Sequence, residues 1–116
     1  MTKSNQKPNI IIILADDLGY SDLGCYGSEI KTPNIDSLGN NGIKFSQFYN
    51  QARCSPSRAS LMTGLRPNKN RFLNFKSRAD EDADLVPTLG EWLKKNGYYT
   101  ISNGKIFHKL NDSPES

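Results

Sequence analysis

Asn9-Ile10-Ile11-Ile12-Ile13-Leu14-Ala15-Asp16-Asp17 is an unbroken aliphatic run that stops on two carboxylates. Side chains branched at Cβ are stiff, crowd a helix and pack well on a pleated surface. A segment apolar at every position, not at every second one, has to bury both faces. That is the situation of a central strand in a parallel sheet covered by helices. The glycines that follow, Gly19, Gly24 and Gly27, mark the chain turning away. The run therefore points to an α/β fold whose first strand delivers Asp16 and Asp17 at its carboxyl end, where open α/β sheets gather their sites.

The segments downstream keep the same grammar. Thr32-Pro33 offers a cap with proline at the first helical position, Asn34 to Asn40 follow as a helix, and Gly42 stops it. Ile43 to Tyr49 alternates as a second strand. Ser55-Pro56 repeats the cap-plus-proline start, with a short helix over Ser57 to Met62 that closes near Gly64. Arg66 to Asp84 lacks periodicity and reads as a surface loop. Thr88-Leu89-Gly90-Glu91 has capping-box spacing, Trp92 and Leu93 continue the helix, and Gly97 ends it. Tyr98 to Ser102 is a third strand that leads into Gly104, Lys105 and His108.

Strands alternating with helices predict a partial, mainly parallel sheet flanked by helices. Strands this few leave edges and apolar faces uncovered. The expected organisation is a polar N-terminal lead over residues 1–8, then residues 9–116 as the N-terminal portion of a larger domain, truncated at its C-terminus.

Composition narrows the function classes. The chain has 116 residues, 35% of them apolar, with 15 basic against 12 acidic side chains and a net charge of +3. No Lys/Arg block forms a stripe that would track phosphates, so nucleic acid is not an expected partner. The longest apolar run is far below the roughly 20 residues that span a bilayer. The first nine residues are polar where a secretory signal needs an apolar core, so no export address is read and the compartment stays open. Two cysteines, Cys25 and Cys54, form no disulfide framework.

Three groups of residues carry chemistry. Cys54 precedes a proline-started helix, whose N-terminal amides and dipole favour an anion, with Arg58 four residues on. An isolated cysteine is otherwise a small core residue. Asp16-Asp17 can turn both carboxylates toward one hard cation, or can be a solvated turn. Lys105 and His108, the sole histidine, are either a strand end at the surface or a pair of cationic donors.

Cys54-Ser55-Pro56-Ser57-Arg58-Ala59-Ser60-Leu61-Met62-Thr63-Gly64 closely resembles the signature of type I sulfatases, in which the cysteine of a C-x-P-x-R core becomes formylglycine. The stretch Asn9 to Tyr20 resembles the opening of the same family, and Gly104-Lys105-Ile106-Phe107-His108 its Gly-Lys-His segment. Most members place one residue between that Lys and His. Here there are two, as in the iduronate-2-sulfatase-like branch.

The resemblance implies an alkaline-phosphatase-like α/β/α domain that hydrolyses sulfate esters, with some tilt toward sulfated carbohydrates. It implies a formylglycine made from Cys54 by a formylglycine-generating enzyme, and Ca2+, with Mg2+ as the alternative, held by Asp16, Asp17 and residue 54. A hydrated aldehyde beside a cation becomes acidic enough to attack sulfur, forming a covalent sulfo-enzyme that the second hydroxyl resolves. Arg58 is implied to steady the hydrate, and Lys105 with His108 to neutralise the sulfuryl oxygens. Family members are often periplasmic, secreted or lysosomal. Remaining metal and substrate ligands of the family come from far later in the chain than residue 116, so an incomplete, inactive piece is one reading. A phosphonate or phosphate monoesterase of the same superfamily is another.

Overall fold

The computed structural model describes residues 7–70 and 86–107. The chain divides into two compact units, Met1–Lys44 and Phe45–Ser116.

In the first unit, residues 9–15 make no strand ladder. Their exposures nevertheless alternate: Ile10 51%, Ile11 83%, Ile12 47%, Ile13 80% and Leu14 42%. That two-residue period is how side chains leave an extended backbone. The run thus has the side-chain pattern of a strand without a neighbour to pair with. Residues 43–49 and 98–102 are likewise without strand pairing, so among the described residues the elements are helices and turns. Backbone ladders need a second strand alongside, and local sequence cannot supply one.

Helix α1 spans Pro33–Asn41 after a 3-10 turn at Gly24–Tyr26. Proline enters at the start of α1, where its missing N–H is no loss. Thr32 occupies the cap position without a side-chain capping bond. Its hydroxyl instead accepts from the Gly24 amide at 2.9 Å and donates to Asp36 Oδ1 at 2.8 Å.

The second unit holds α2 (Cys54–Thr63), α3 (Pro67–Asn70) and α4 (Leu89–Lys95). All fully buried residues among those described lie in this unit. Its core is small: Ala59 of α2 against Phe107, with Met62 and Ile106 packed alongside. Helix α2 also contacts both α3 and α4. The expected loop after Gly64 opens with the short α3, and residues 71–84 of it lie outside the described residues.

Helix α2 begins earlier than its sequence suggests. Cys54 is its first residue and Arg53 its N-cap, with no side-chain capping bond. Pro56 therefore falls at the third helical position. Amides throughout the first turn have no partner inside the helix, so proline costs no hydrogen bond there either. Gly64 ends α2 with φ 69°, and its amide donates to Ser60 O at 2.9 Å. Only glycine adopts that left-handed cap without strain.

Helix α4 follows its sequence signals at both ends. Thr88 N donates to Glu91 Oε2 at 2.6 Å, and Glu91 N donates to Thr88 Oγ1 at 3.3 Å, closing a capping box. At the other end Gly97 N reaches Lys94 O at 3.0 Å and Tyr98 N reaches Leu93 O at 3.1 Å, a Schellman pair.

The Thr88 amide, then the Thr88 hydroxyl, holds the Glu91 carboxyl below the ordinary glutamate range, with Lys95 adding to the effect. A lowered folded pKa gives a contribution present above the unfolded value and lost as pH falls through the folded one. The start of α4 should accordingly fray on acidification below the usual glutamate range. An NMR titration checks this: the Cα shifts of Leu89 to Trp92 should decay with the Glu91 carboxyl midpoint, and Thr88→Ala, which removes the hydroxyl but keeps the backbone amide, should move that midpoint only part of the way back toward the ordinary value.

Candidate active site

The second unit brings three of the sequence-predicted residues onto one scaffold. Cys54 is half-buried at the first position of α2 and is not in a disulfide. One turn later Arg58 is only 4% exposed. Its Nη1 donates to the backbone carbonyl of Lys105, a partner 47 residues away in the chain. Lys105 is half-buried, and its neighbours Ile106 and Phe107 pack on the same helix. The guanidinium thus ties the cysteine helix to the segment bearing the lysine. His108 lies outside the described residues.

Polar contacts hold α2 at both ends. The Ser57 hydroxyl accepts from the Gln51 amide at 3.0 Å, and Asn50 Oδ1 accepts from the Ala52 amide at 2.7 Å. At the far end Thr63 Oγ1 donates to Ala59 O at 2.7 Å. Asn70, 1% exposed, donates from Nδ2 to Leu65 O at 3.1 Å and to Thr63 Oγ1 at 3.4 Å. Ser55 is buried as well, at 1%. Sequence reasoning passed over Asn70 and assigned Ser55 to a cap it does not make. The signal for Asn70 was the Thr63-Gly64 ending, which leaves carbonyls to be satisfied just beyond the helix.

Asp16 and Asp17 belong to the first unit and are exposed there. Asp17 has φ 55°, and Ala52, two residues before Cys54, has φ 61°. Among the described residues these are the non-glycine positions with left-handed backbone, one in the carboxylate pair and one two residues before the cysteine. Aspartate tolerates that region through local hydrogen bonding, whereas alanine pays about 1–2 kcal/mol for it. Such conformations persist where surrounding contacts impose them, and they cluster at functional sites.

The donor chemistry of Asp16 and Asp17 suits a hard cation, which takes carboxylate oxygens. Calcium takes about six to eight oxygen ligands in all, carbonyls and waters included. Among the described residues no cluster of three or more His, Cys, Asp or Glu side chains is placed to hold a metal. No helix among the described residues is long and apolar enough to cross a membrane.

The arrangement of Cys54, Pro56 and Arg58 on one helix coincides with a sulfatase family model that matches residues 8–116. This chain belongs to the sulfatase family. Human iduronate 2-sulfatase is 41% identical over 116 residues, a match covering 93% of this chain and 21% of the relative. Human arylsulfatase A is 44% identical over 104 residues, covering 84% of this chain and 20% of the relative. An arylsulfatase of Klebsiella aerogenes is 35% identical over 112 residues, with 86% and 24% covered. The chain thus spans between a fifth and a quarter of the length of these sulfatases. Membership carries the alkaline-phosphatase-like α/β architecture of the family, to which the described residues contribute the helices.

Removing a buried partner leaves orphaned groups, which costs about 1–3 kcal/mol. Asn70→Ala should lower the local stability of α2 by that amount. Amide exchange reads it directly: protection over Cys54–Thr63 should fall roughly 5- to 150-fold, with α4 unaffected.

Proposed function

We propose that this chain carries the nucleophile end of a sulfuric ester hydrolase, with residue 54 as the nucleophile position once its cysteine has been converted to formylglycine. The observation that supports it most is the buried bond from Arg58 to the Lys105 carbonyl, which puts the cysteine helix and the lysine segment in one packed unit of a sulfatase-family chain. A formylglycine there supplies a hydrated aldehyde, a nucleophile with its own route for releasing product. Conversion is assigned to a formylglycine-generating enzyme acting on Cys54.

The remaining roles follow from the chemistry of each side chain. The first turn of α2 offers amides and a dipole end to an anionic ester. Arg58, whose guanidinium carries five N–H donors, is proposed to steady the hydrated aldehyde. Lys105 and His108 supply positive charge where negative charge develops on the sulfuryl oxygens. Asp16 and Asp17, with residue 54, are proposed as ligands of Ca2+, or of Mg2+. Further ligands would come from outside the described residues.

Residues 9–15, 43–49 and 98–102 are proposed as strands of a mainly parallel sheet within a longer sulfatase domain, of which residues 9–116 form the N-terminal portion behind a polar lead. The exposed aliphatic side chains of these segments support this, since Ile11, Ile43 and Ile101 are each over 80% exposed. Such surface is stable only when another layer covers it. Relatives named for iduronate 2-sulfate and N-acetylgalactosamine 6-sulfate favour sulfated carbohydrate as the substrate class.

Mass spectrometry of the tryptic peptide that begins at Cys54, from cells co-expressing a formylglycine-generating enzyme, tests the central assignment. The expected product is the aldehyde or its hydrate; an intact thiol would sink the reading. In the full-length protein Cys54→Ala should abolish turnover of sulfate esters. Lys105→Ala should slow it by about two to three powers of ten, and sulfate esters should be preferred over phosphate esters of the same alcohol.

A further inference from the structure

The first unit contains a polar knot that none of these roles uses. Asp36, on α1, accepts from the Cys25 amide at 2.7 Å and from the Thr32 hydroxyl at 2.8 Å. The same hydroxyl accepts from the Gly24 amide at 2.9 Å. A Cβ on Gly24 would stand 2.5 Å from Asp36 Oδ2, so only glycine permits the approach. Lys44 Nζ donates to the Cys25 carbonyl at 3.3 Å. The 3-10 turn is therefore fastened to α1 through the amides of Gly24 and Cys25.

From that turn, contacts run back toward the carboxylate pair. The Tyr26 ring lies 4.8 Å from the ring of Tyr20. Tyr20 sits inside a turn closed by Asp22 N donating to Gly19 O at 3.2 Å and by Gly19 N donating to Asp22 Oδ2 at 2.6 Å. Two residues before Gly19 is Asp17, with its left-handed backbone. Ligating carboxylates need supports that fix their direction, and those supports are a large part of a site's affinity.

We infer that Thr32 and Asp36 are positioning residues that, through the Gly24–Tyr26 turn and the Tyr20–Tyr26 contact, set the conformation of the Asp16-Asp17 turn. The inference rests on the reading of that turn as a divalent-cation site. Thr32 and Asp36 touch neither the cation nor substrate; they act on the backbone that presents the carboxylates.

NMR on the full-length protein, with calcium chloride as the probe, tests it. The amide signals of Asp17 and Gly19 report the turn, and Cα shifts over Pro33–Asn41 report α1. Asp36→Ala should move the turn signals while α1 stays helical, and should weaken the calcium response of Asp16 and Asp17 roughly tenfold or more. Thr32→Val removes the hydroxyl at constant shape and should do the same, and Thr32→Ser should restore the parent spectrum. If Asp36→Ala melts α1, the threonine pair decides. Turn signals that stay put in Thr32→Val overturn the inference whether or not calcium binds. A parent chain whose Asp16 and Asp17 ignore calcium overturns the cation reading alone, and the turn signals still decide the positioning role.

Discussion

Arg58 donating to the main-chain carbonyl of Lys105 is the contact on which the second unit hangs. A guanidinium this deeply buried is tolerated only when its N–H groups find acceptors. The carbonyl it meets belongs to the residue whose side chain is the proposed anion partner. The apolar core nearby consists of Ala59 and Phe107 with partial help from Met62 and Ile106. Burying a large aliphatic or aromatic side chain contributes about 1.5–3 kcal/mol. A handful of such residues cannot alone fix the direction of a helix. Direction comes from the polar ties at Ser57, Thr63 and Asn70, and from the arginine above all.

Local signals in the sequence were legible where the physics is local. The capping box and glycine stop of α4, the proline entry of α1 and the left-handed Gly64 all depend on residues within one turn, and each is present. The start of α2 was misplaced for a physical reason: a proline is equally welcome anywhere in the first turn, so Ser55-Pro56 could not say which position it marked. The strand segments were half legible. Residues 9–15 show the two-residue alternation of an extended chain, but a ladder depends on a partner that no local pattern encodes.

Non-local contacts were the part hidden from the sequence. Nothing in the C-x-P-x-R pattern says that Arg58 bonds to a backbone carbonyl, because any residue at 105 presents the same group. For Asn70 the helix ending signals carbonyls in need of a donor, but which residue meets the Leu65 carbonyl and the Thr63 hydroxyl is set by how α3 folds back on them. Thr32 sits at the cap position, yet its hydroxyl donates to Asp36 one turn later and accepts from the Gly24 amide across the turn, in place of an amide of its own helix. The proposed influence of Thr32 and Asp36 on the Asp16-Asp17 turn belongs to the same non-local class.

The span between the two ends of the arginine tie has a consequence for how such chains diversify. Closing a flexible loop costs free energy that grows only with the logarithm of its length, about 0.6 kcal/mol for each doubling. Extra residues placed between α3 and α4 would lengthen the chain between the two ends of the tie without replacing either Arg58 or the Lys105 carbonyl. Insertions and deletions there are thermodynamically cheap. The arginine tie can therefore keep the lysine in its seat while the chain between its two ends changes in length.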